Sequence, residues 1–116
     1  MLRWLTLGIV VLATAACSTA SSTPARSSAP GVVDAKGFAF SPSRLTVTQG
    51  TTLRYVNGDR AEHTITQGSN GVADAGAAFD AMLAIEGSTS VTFSTPGEIH
   101  VTCKLHPTMN QTVIVT

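Results

Sequence analysis

The sequence predicts an all-β fold, an antiparallel β-sandwich of seven to eight short strands, and three observations carry that prediction. From Val32 onward, apolar residues recur in short alternating runs, a period that places successive side chains on opposite faces of a strand. Gly, Pro, Asn and Ser separate the runs at fairly even intervals. Seven or eight such runs in about 85 residues is the spacing of a sandwich of strands and turns, not of helices.

Residues 32–40 form a first extended region, with Gly37 a candidate bulge and Ser41-Pro42 its end. Residues 44–48 alternate with Leu45 and Val47 on one face, and Gln49-Gly50 turns the chain. Residues 51–57 place Leu53, Tyr55 and Asn57 on one face and Thr52, Arg54 and Val56 on the other. A polar loop, 58–62, leads into a short strand at 63–66. Residues 67–78 are rich in Gly and Ala with no clear period, and both a loop and a helical turn near 74–78 stay open there. Residues 79–85 are extended, Glu86-Gly87 turns, and residues 89–94 make a strand with Val91 and Phe93 inward. Pro96-Gly97 suits the central pair of a type II turn, where Pro presets the first residue and Gly supplies a positive φ at the second. In 99–103, Ile99, Val101 and Cys103 face inward and His100 and Thr102 outward. Residues 111–116 are the last strand, with Val113 and Val115 inward. The expected core is aliphatic, with Phe38, Phe40, Phe79 and Phe93. That is modest burial for a small domain, so a bound metal would add stability by mass action.

The chain has 116 residues, a formal net charge of zero and only 12% charged residues. This suits one small domain and excludes a nucleic-acid binder that needs a basic face. All seven acidic residues and five of the seven basic ones lie in 32–116, an excess too small to select a partner by charge steering. The N-terminus reads differently. A short positive start ending at Arg3, an apolar run over 4–16 and then small residues are the layout of a secretory signal. The run is short for a membrane span, which takes about 20 apolar residues. Thr14-Ala-Ala-Cys17 resembles a bacterial lipobox, in which Cys17 becomes the lipidated first residue of the mature chain, although Thr14 stands where such boxes usually carry Leu. The alternative is ordinary cleavage after Ala15 or Ala16, leaving Cys17 free. Residues 18–31 are Ser, Thr, Ala and Pro with a single Arg26, a composition that buries too little apolar surface to fold and reads as a tether. The expected organisation is therefore a signal over 1–17, a tether over 18–31 and one domain over 32–116.

With Cys17 taken by lipid, Cys103 is the one remaining thiol in an exported, oxidising compartment and has no internal disulfide partner. A small buried hydrophobe is the plain account of such a residue. The loop Cys103-Lys-Leu-His106-Pro-Thr-Met109 offers another, since it carries a thiolate, an imidazole and a thioether within one short segment. Two His, one Cys and a weak axial Met are the donors of a blue-copper site, so a second His has to come from elsewhere. His63 and His100 remain. Alternation turns His100 away from the core while Cys103 faces it, whereas His63 begins a strand just after a polar loop. The expected ligands are His63, Cys103 and His106, with Met109 axial. A Met at the end of a loop is more often a core residue, and Met82 is read that way.

The segment from Phe93 to Met109 resembles the C-terminal ligand loop of the cupredoxins, and the two residues between His106 and Met109 resemble the amicyanins more than the plastocyanins. Tyr55-Val-Asn57 followed by His63-Thr is similar to the strand, Asn, loop and His element of that family, again with the amicyanin-like gap of five residues between Asn57 and His63. The resemblance covers 32–116 and implies a Greek-key β-sandwich with one type 1 copper ion held by His63, Cys103, His106 and Met109. It also implies that Asn57 ties the His63 loop to the loop carrying Cys103, an outer hydrogen bond of the kind that orients ligands. This chain departs from the pattern in three places. Glu62 stands where the family has Pro and puts a carboxylate near the site; Ile99 and Val101 replace an aromatic ahead of the Cys; Asn110 and Gln111 replace a Gly after the Met, where Asn110 tolerates a left-handed turn.

The implied function is an exported, lipid-anchored blue-copper protein that passes single electrons between redox proteins. The partners are expected to dock on an apolar patch of Leu105, Pro107 and Thr108 around His106, and the carrier to be a monomer that binds no nucleic acid. Copper storage or delivery to an exported cuproenzyme is the alternative with the same ligands, and a structural sandwich with fortuitous donors is a third. Catalysis is not expected: four protein ligands leave no open coordination position, and no Ser-His-Asp set or acid pair is evident.

Overall fold

The computed structural model describes residues 31–116. The signal-like segment, Cys17 and the tether up to residue 30 lie outside the described residues. Gly31, placed in the tether by composition, is already attached to the domain, its carbonyl accepting the Arg54 N–H at 2.7 Å.

The described chain contains β1 (Val32–Ala35), β2 (Phe40–Ser41), β3 (Arg44–Val47), β4 (Thr51–Asn57), β5 (His63–Ser69), β6 (Val72–Ala73), β7 (Asp80–Leu83), β8 (Ser88–Phe93), β9 (Gly97–Thr102) and β10 (Asn110–Val115). One sheet has the order β2-β1-β4-β8, and the other β3-β10-β9-β5-β6 with β7 also paired to β5. This is the predicted all-β sandwich. Eight of its strands have four or more residues, and two, β2 and β6, are two-residue additions. Most pairs are antiparallel, but β1 runs parallel to β4 and β3 parallel to β10. Parallel neighbours need crossover connections, and here the chain supplies them by passing from one sheet to the other.

Alternation does what the sequence implies in the central strands. Leu53, Tyr55 and Asn57 of β4, Val91 and Phe93 of β8, and Gln111, Val113 and Val115 of β10 all point into the sandwich and are buried. Phe40 packs edge-on against Tyr55, and Phe79 against Phe93, with ring centroids 6.0 and 5.6 Å apart. Gly97 has a positive φ as expected, but at 129° it lies away from the roughly +80° of a type II turn, and it opens β9.

Four expectations are corrected. Residues 32–40 are not one strand: β1 and β2 form a tight hairpin, with the Lys36 N–H on the Ala39 carbonyl at 3.0 Å and both Gly37 and Phe38 at positive φ. Phe38 therefore leaves the core and is 50% exposed. Met82 is 58% exposed, because it lies on the outer face of β7 opposite Thr64. Thr102 points outward as expected yet is fully buried, because the β5–β6 hairpin folds over it. That hairpin resolves the segment left open above. β5 runs on to Ser69, and Asn70-Gly71, with φ of 51° and 80°, forms the two-residue loop, as the left-handed pair of a type I′ turn does.

Two polar links close the core. The buried Tyr55 hydroxyl donates to Gln111 Oε1 at 2.7 Å, and Gln111 Nε2 donates to the Pro42 carbonyl at 2.9 Å, so one side-chain pair joins the two sheets. Burial pushes the Tyr55 hydroxyl far above its ordinary pKa of 10.0. On the surface, Asp80 accepts from Lys104 Nζ at 2.6 Å and from Thr66 Oγ1 at 2.9 Å. These bonds outweigh the effect of burial and hold the Asp80 carboxyl below its ordinary 3.8.

Tyr55→Phe leaves a buried acceptor unpaired and is expected to cost about 1–3 kcal/mol of unfolding free energy in urea titration. A carboxyl with a lowered native pKa adds stability that is present above its unfolded value and lost as pH falls through the native one. The wild type is therefore expected to melt above Asp80→Asn at neutral pH, and calorimetry at about pH 2 should find that gap closed; a gap that persists there would show the Asp80 contacts to be neutral packing.

Candidate metal centre

The centre lies where β5 begins and β9 ends. The β5–β9 ladder pairs Gln67 with Val101 and Thr66 with Thr102, and a continued register would set Thr64 opposite Lys104. There side chains replace the backbone ladder. The Thr64 N–H donates to Cys103 Sγ at 3.3 Å, and the Lys104 N–H donates to Thr64 Oγ1 at 2.8 Å. Thr64 Oγ1 lies 2.9 Å from Thr66 Oγ1, which continues the chain to Asp80.

The loop from Cys103 closes on itself. Met109 accepts the Cys103 N–H at 3.1 Å and donates its own N–H to the His106 carbonyl at 2.9 Å. Thr102 Oγ1 donates to the Met109 carbonyl at 3.2 Å and accepts the Gly71 N–H at 2.9 Å. The β5–β6 tip thus presses on the ligand loop, and Gly71 is needed there, because a Cβ would meet Pro107 Cγ at 2.8 Å. Asn110 does not take a left-handed turn; its side chain closes the loop by donating to the Pro107 carbonyl and accepting the Asn70 N–H, both at 2.9 Å.

These constraints bring three donors together. His63 Nδ1 and His106 Nδ1 are 3.1 Å apart, and Cys103 Sγ lies 3.9 Å from the first and 3.5 Å from the second. An ion with bonds of about 2.0–2.1 Å to imidazole and about 2.3 Å to thiolate, centred in its three donors, would set the N···N edge near 3.5 Å and the S···N edges near 3.8 Å. Each observed edge is within about half an ångström of that triangle, so the donors fit one metal ion. His63, Cys103 and Met109 are fully buried, whereas His106 is half-buried and Leu105, Pro107 and Thr108 around it are exposed. Cys103 is a free thiol. His100, on the outer face of β9, lies 3.5 Å from Glu98 and is not among the clustered donors.

Asn57 is buried beside the site with a partner different from the expected one. Its Nδ2 lies 2.8, 3.3 and 3.1 Å from the carbonyls of Ala61, Leu83 and Ala84, and its Oδ1 accepts the Asp59 N–H at 2.9 Å. It ties the His63 loop to the end of β7, and the link to the Cys103 loop is made by Thr64 instead.

Sequence reasoning missed two residues. The carboxylate at the site is Asp59, not the exposed Glu62. Asp59 Oδ2 lies 2.9 Å from His63 Nε2 and 3.0 Å from the Phe38 N, while Oδ1 accepts the Gly37 N–H at 2.7 Å. Burial alone would raise its pKa, but the N–H groups of Phe38 and Gly37 and the His63 contact outweigh this and hold the carboxyl below its ordinary 3.8. Phe38 is the other, with its ring edge-on to His106 and to His63 at centroid distances of 4.8 and 5.7 Å. A Gly-Phe turn with two positive φ values has no clear signal in sequence, but Asn-Gly-Asp ahead of His63 is an Asx-type loop that could have pointed to Asp59.

Among solved structures the chain is similar to amicyanin from Paracoccus versutus, at 26% identity and a TM-score of 0.63, covering 73% of this chain and 79% of that one. It is similar to the Cu(I) form of an amicyanin point mutant at 28% identity, and to the reduced form of another at 28%, each with a TM-score of 0.63 and covering 78% of this chain and 87% of that one. No curated protein sequence matches it. The family model for copper binding proteins of the plastocyanin/azurin family matches residues 28–116. The chain belongs to that family, the cupredoxins, and its cofactor is a single type 1 copper ion.

Proposed function

We propose that the protein is an exported electron carrier, anchored to the outer face of a membrane through lipid on Cys17, with residues 18–30 as its tether. The observation that carries the electron-carrier part of this reading is the convergence of His63 Nδ1, Cys103 Sγ and His106 Nδ1, all within 4.8 Å of one another, in a pocket from which only His106 reaches the surface. His63, Cys103 and His106 act as the strong ligands and Met109 as the axial one, with Asn57 bracing the His63 loop. Bound copper supplies the one-electron Cu(I)/Cu(II) couple. The chain's part is to hold the donors still. Each ligand is tied by a bond that does not depend on metal: Asp59 holds His63, Thr64 holds Cys103, and the loop-closing N–H bonds hold His106 and Met109. Donors fixed in this way rearrange little between oxidation states, which suits transfer over substrate chemistry.

His106 is the exit for the electron, and redox partners dock on the exposed Leu105, Pro107 and Thr108 around it. Leu105 is 52% exposed, an apolar contact on a surface with little charge to steer by. A small apolar patch gives the weak, brief encounters of redox proteins. Copper storage or delivery needs the ligands to be reached by an acceptor, and the full burial of His63, Cys103 and Met109 argues for retention.

One equivalent of Cu(II) is expected to give an intense blue thiolate-to-copper band that ascorbate bleaches and air or ferricyanide restores, with the metal retained through repeated cycles; Cys103→Ala should stay colourless. Copper lost to an acceptor during cycling would favour delivery, and a colourless wild type would remove the carrier reading. Copper at about a hundredfold its dissociation constant should add about 2.7 kcal/mol to the stability of the wild type, read as a concentration-dependent melting temperature, and far less to Cys103→Ala.

A further inference from the structure

We propose that Asp59 is a positioning residue that couples the copper ligand His63 to the Phe38 turn, fixing the His63 donor and seating the aromatic cap over both imidazoles with one carboxylate. The proposal rests on the copper-carrier reading and goes beyond its ligand set. Three independent features of the structure carry it.

The first is the pattern of contacts. Both oxygens of Asp59 are used, Oδ1 for the Gly37 N–H and Oδ2 for the Phe38 N–H and His63 Nε2. A carboxylate only accepts, so the His63 proton sits on Nε2 and its Nδ1 lone pair faces Cys103 and His106. The second is backbone geometry. Phe38 has φ 55°, a left-handed conformation that bulky residues avoid. Nothing in core packing demands it, since the ring is half exposed. What holds this turn is the pair of N–H bonds to Asp59, in addition to the Lys36–Ala39 backbone bond. The third is what the turn achieves: it places the Phe38 ring edge-on to His106 and His63. Asp59 itself is partly covered, with 12% of its side chain exposed.

The electronic consequence has a definite sign. A carboxylate on the far nitrogen makes the imidazole a better donor and adds negative charge beside the metal position. Both effects favour Cu(II) over Cu(I), so Asp59 lowers the reduction potential. Loss of such outer partners typically costs 10–100-fold in metal affinity. If that loss falls on Cu(II), Asp59→Asn raises the potential by about 59–118 mV, at 59 mV per tenfold for one electron.

The test combines voltammetry of the copper protein with amide exchange and imidazole nitrogen NMR. Asp59→Asn is expected to raise the potential and to speed exchange of the Gly37 and Phe38 amides at least tenfold, while Asp59→Glu, which keeps the charge, returns the potential toward wild type. An Asp59→Asn protein that matches wild type in either readout overturns the proposal. Should that variant fail to fold, the wild type alone decides: its His63 proton must be found on Nε2 with a slowly exchanging Phe38 amide, and a proton on Nδ1 or a freely exchanging amide sinks the idea. The same NMR measurements on the metal-free protein separate this outcome from failure of the carrier reading, which would show only as absence of the blue band.

Discussion

The site depends on where the β5–β9 ladder stops. Backbone pairing ends at Thr66 and Thr102, and beyond it Thr64 does the work of a ladder residue with different atoms. Its N–H goes to Cys103 Sγ and its hydroxyl takes the Lys104 N–H. Had the backbone ladder continued, Thr64 would bond a carbonyl, and the thiolate would be left in an apolar interior without a donor, a costly state for a charge. The switch from backbone to side-chain pairing therefore both ends the sheet and makes a place for sulfur. Because Thr64 is linked through Thr66 to Asp80, and Asp80 to Lys104, the thiolate donor is braced from β5, β7 and the ligand loop together.

From this point the site is graded from rigid to accessible. His63, Cys103 and Met109 are fully buried and held by β5, the end of β9 and the start of β10. His106 is half-buried on the loop between them. The β5–β6 tip and the β1–β2 turn reach over this loop from two sides, one touching Pro107 through Gly71 and the other His106 through Phe38. Both contacts are made by hairpins extraneous to the main sandwich core. The sandwich supplies precision, and its short hairpins decide how much of the imidazole edge a partner can touch.

How much of this was legible in sequence follows from what period two can report. In β4, β8 and β10 each strand has one face on the core, and alternation names that face correctly, with Asn57 in β4 and Val113 and Val115 in β10. It also separates Cys103 from His100, which is why the donor set could be assembled from a single sequence. Alternation cannot say whether an outward face is covered by something distant in sequence. Thr102 was expected in solvent and lies under a hairpin; Met82 was expected in the core and is exposed. Phe38 failed for another reason, since a residue in a two-residue loop belongs to neither face. Glu62 is the carboxylate next to His63 in sequence, whereas hydrogen bonding selects the residue whose loop folds back, Asp59.

The same turn shows how a local cost becomes a feature of the site. A left-handed conformation costs a residue such as Phe38 roughly 1–2 kcal/mol. Hydrogen bonds to a charged acceptor contribute about 1.5–3 kcal/mol each, less where water screens them. The two N–H bonds from Gly37 and Phe38 to Asp59 are thus enough to offset the strain. The conformation of the turn is therefore conditional on the carboxylate and not on the hydrophobic core, to which Phe38 contributes almost nothing. A feature held in this way is free to vary without unfolding the sandwich. The copper ligands and their cap can then be tuned by one surface-loop residue, while the strands that fix Cys103 and His63 stay as they are.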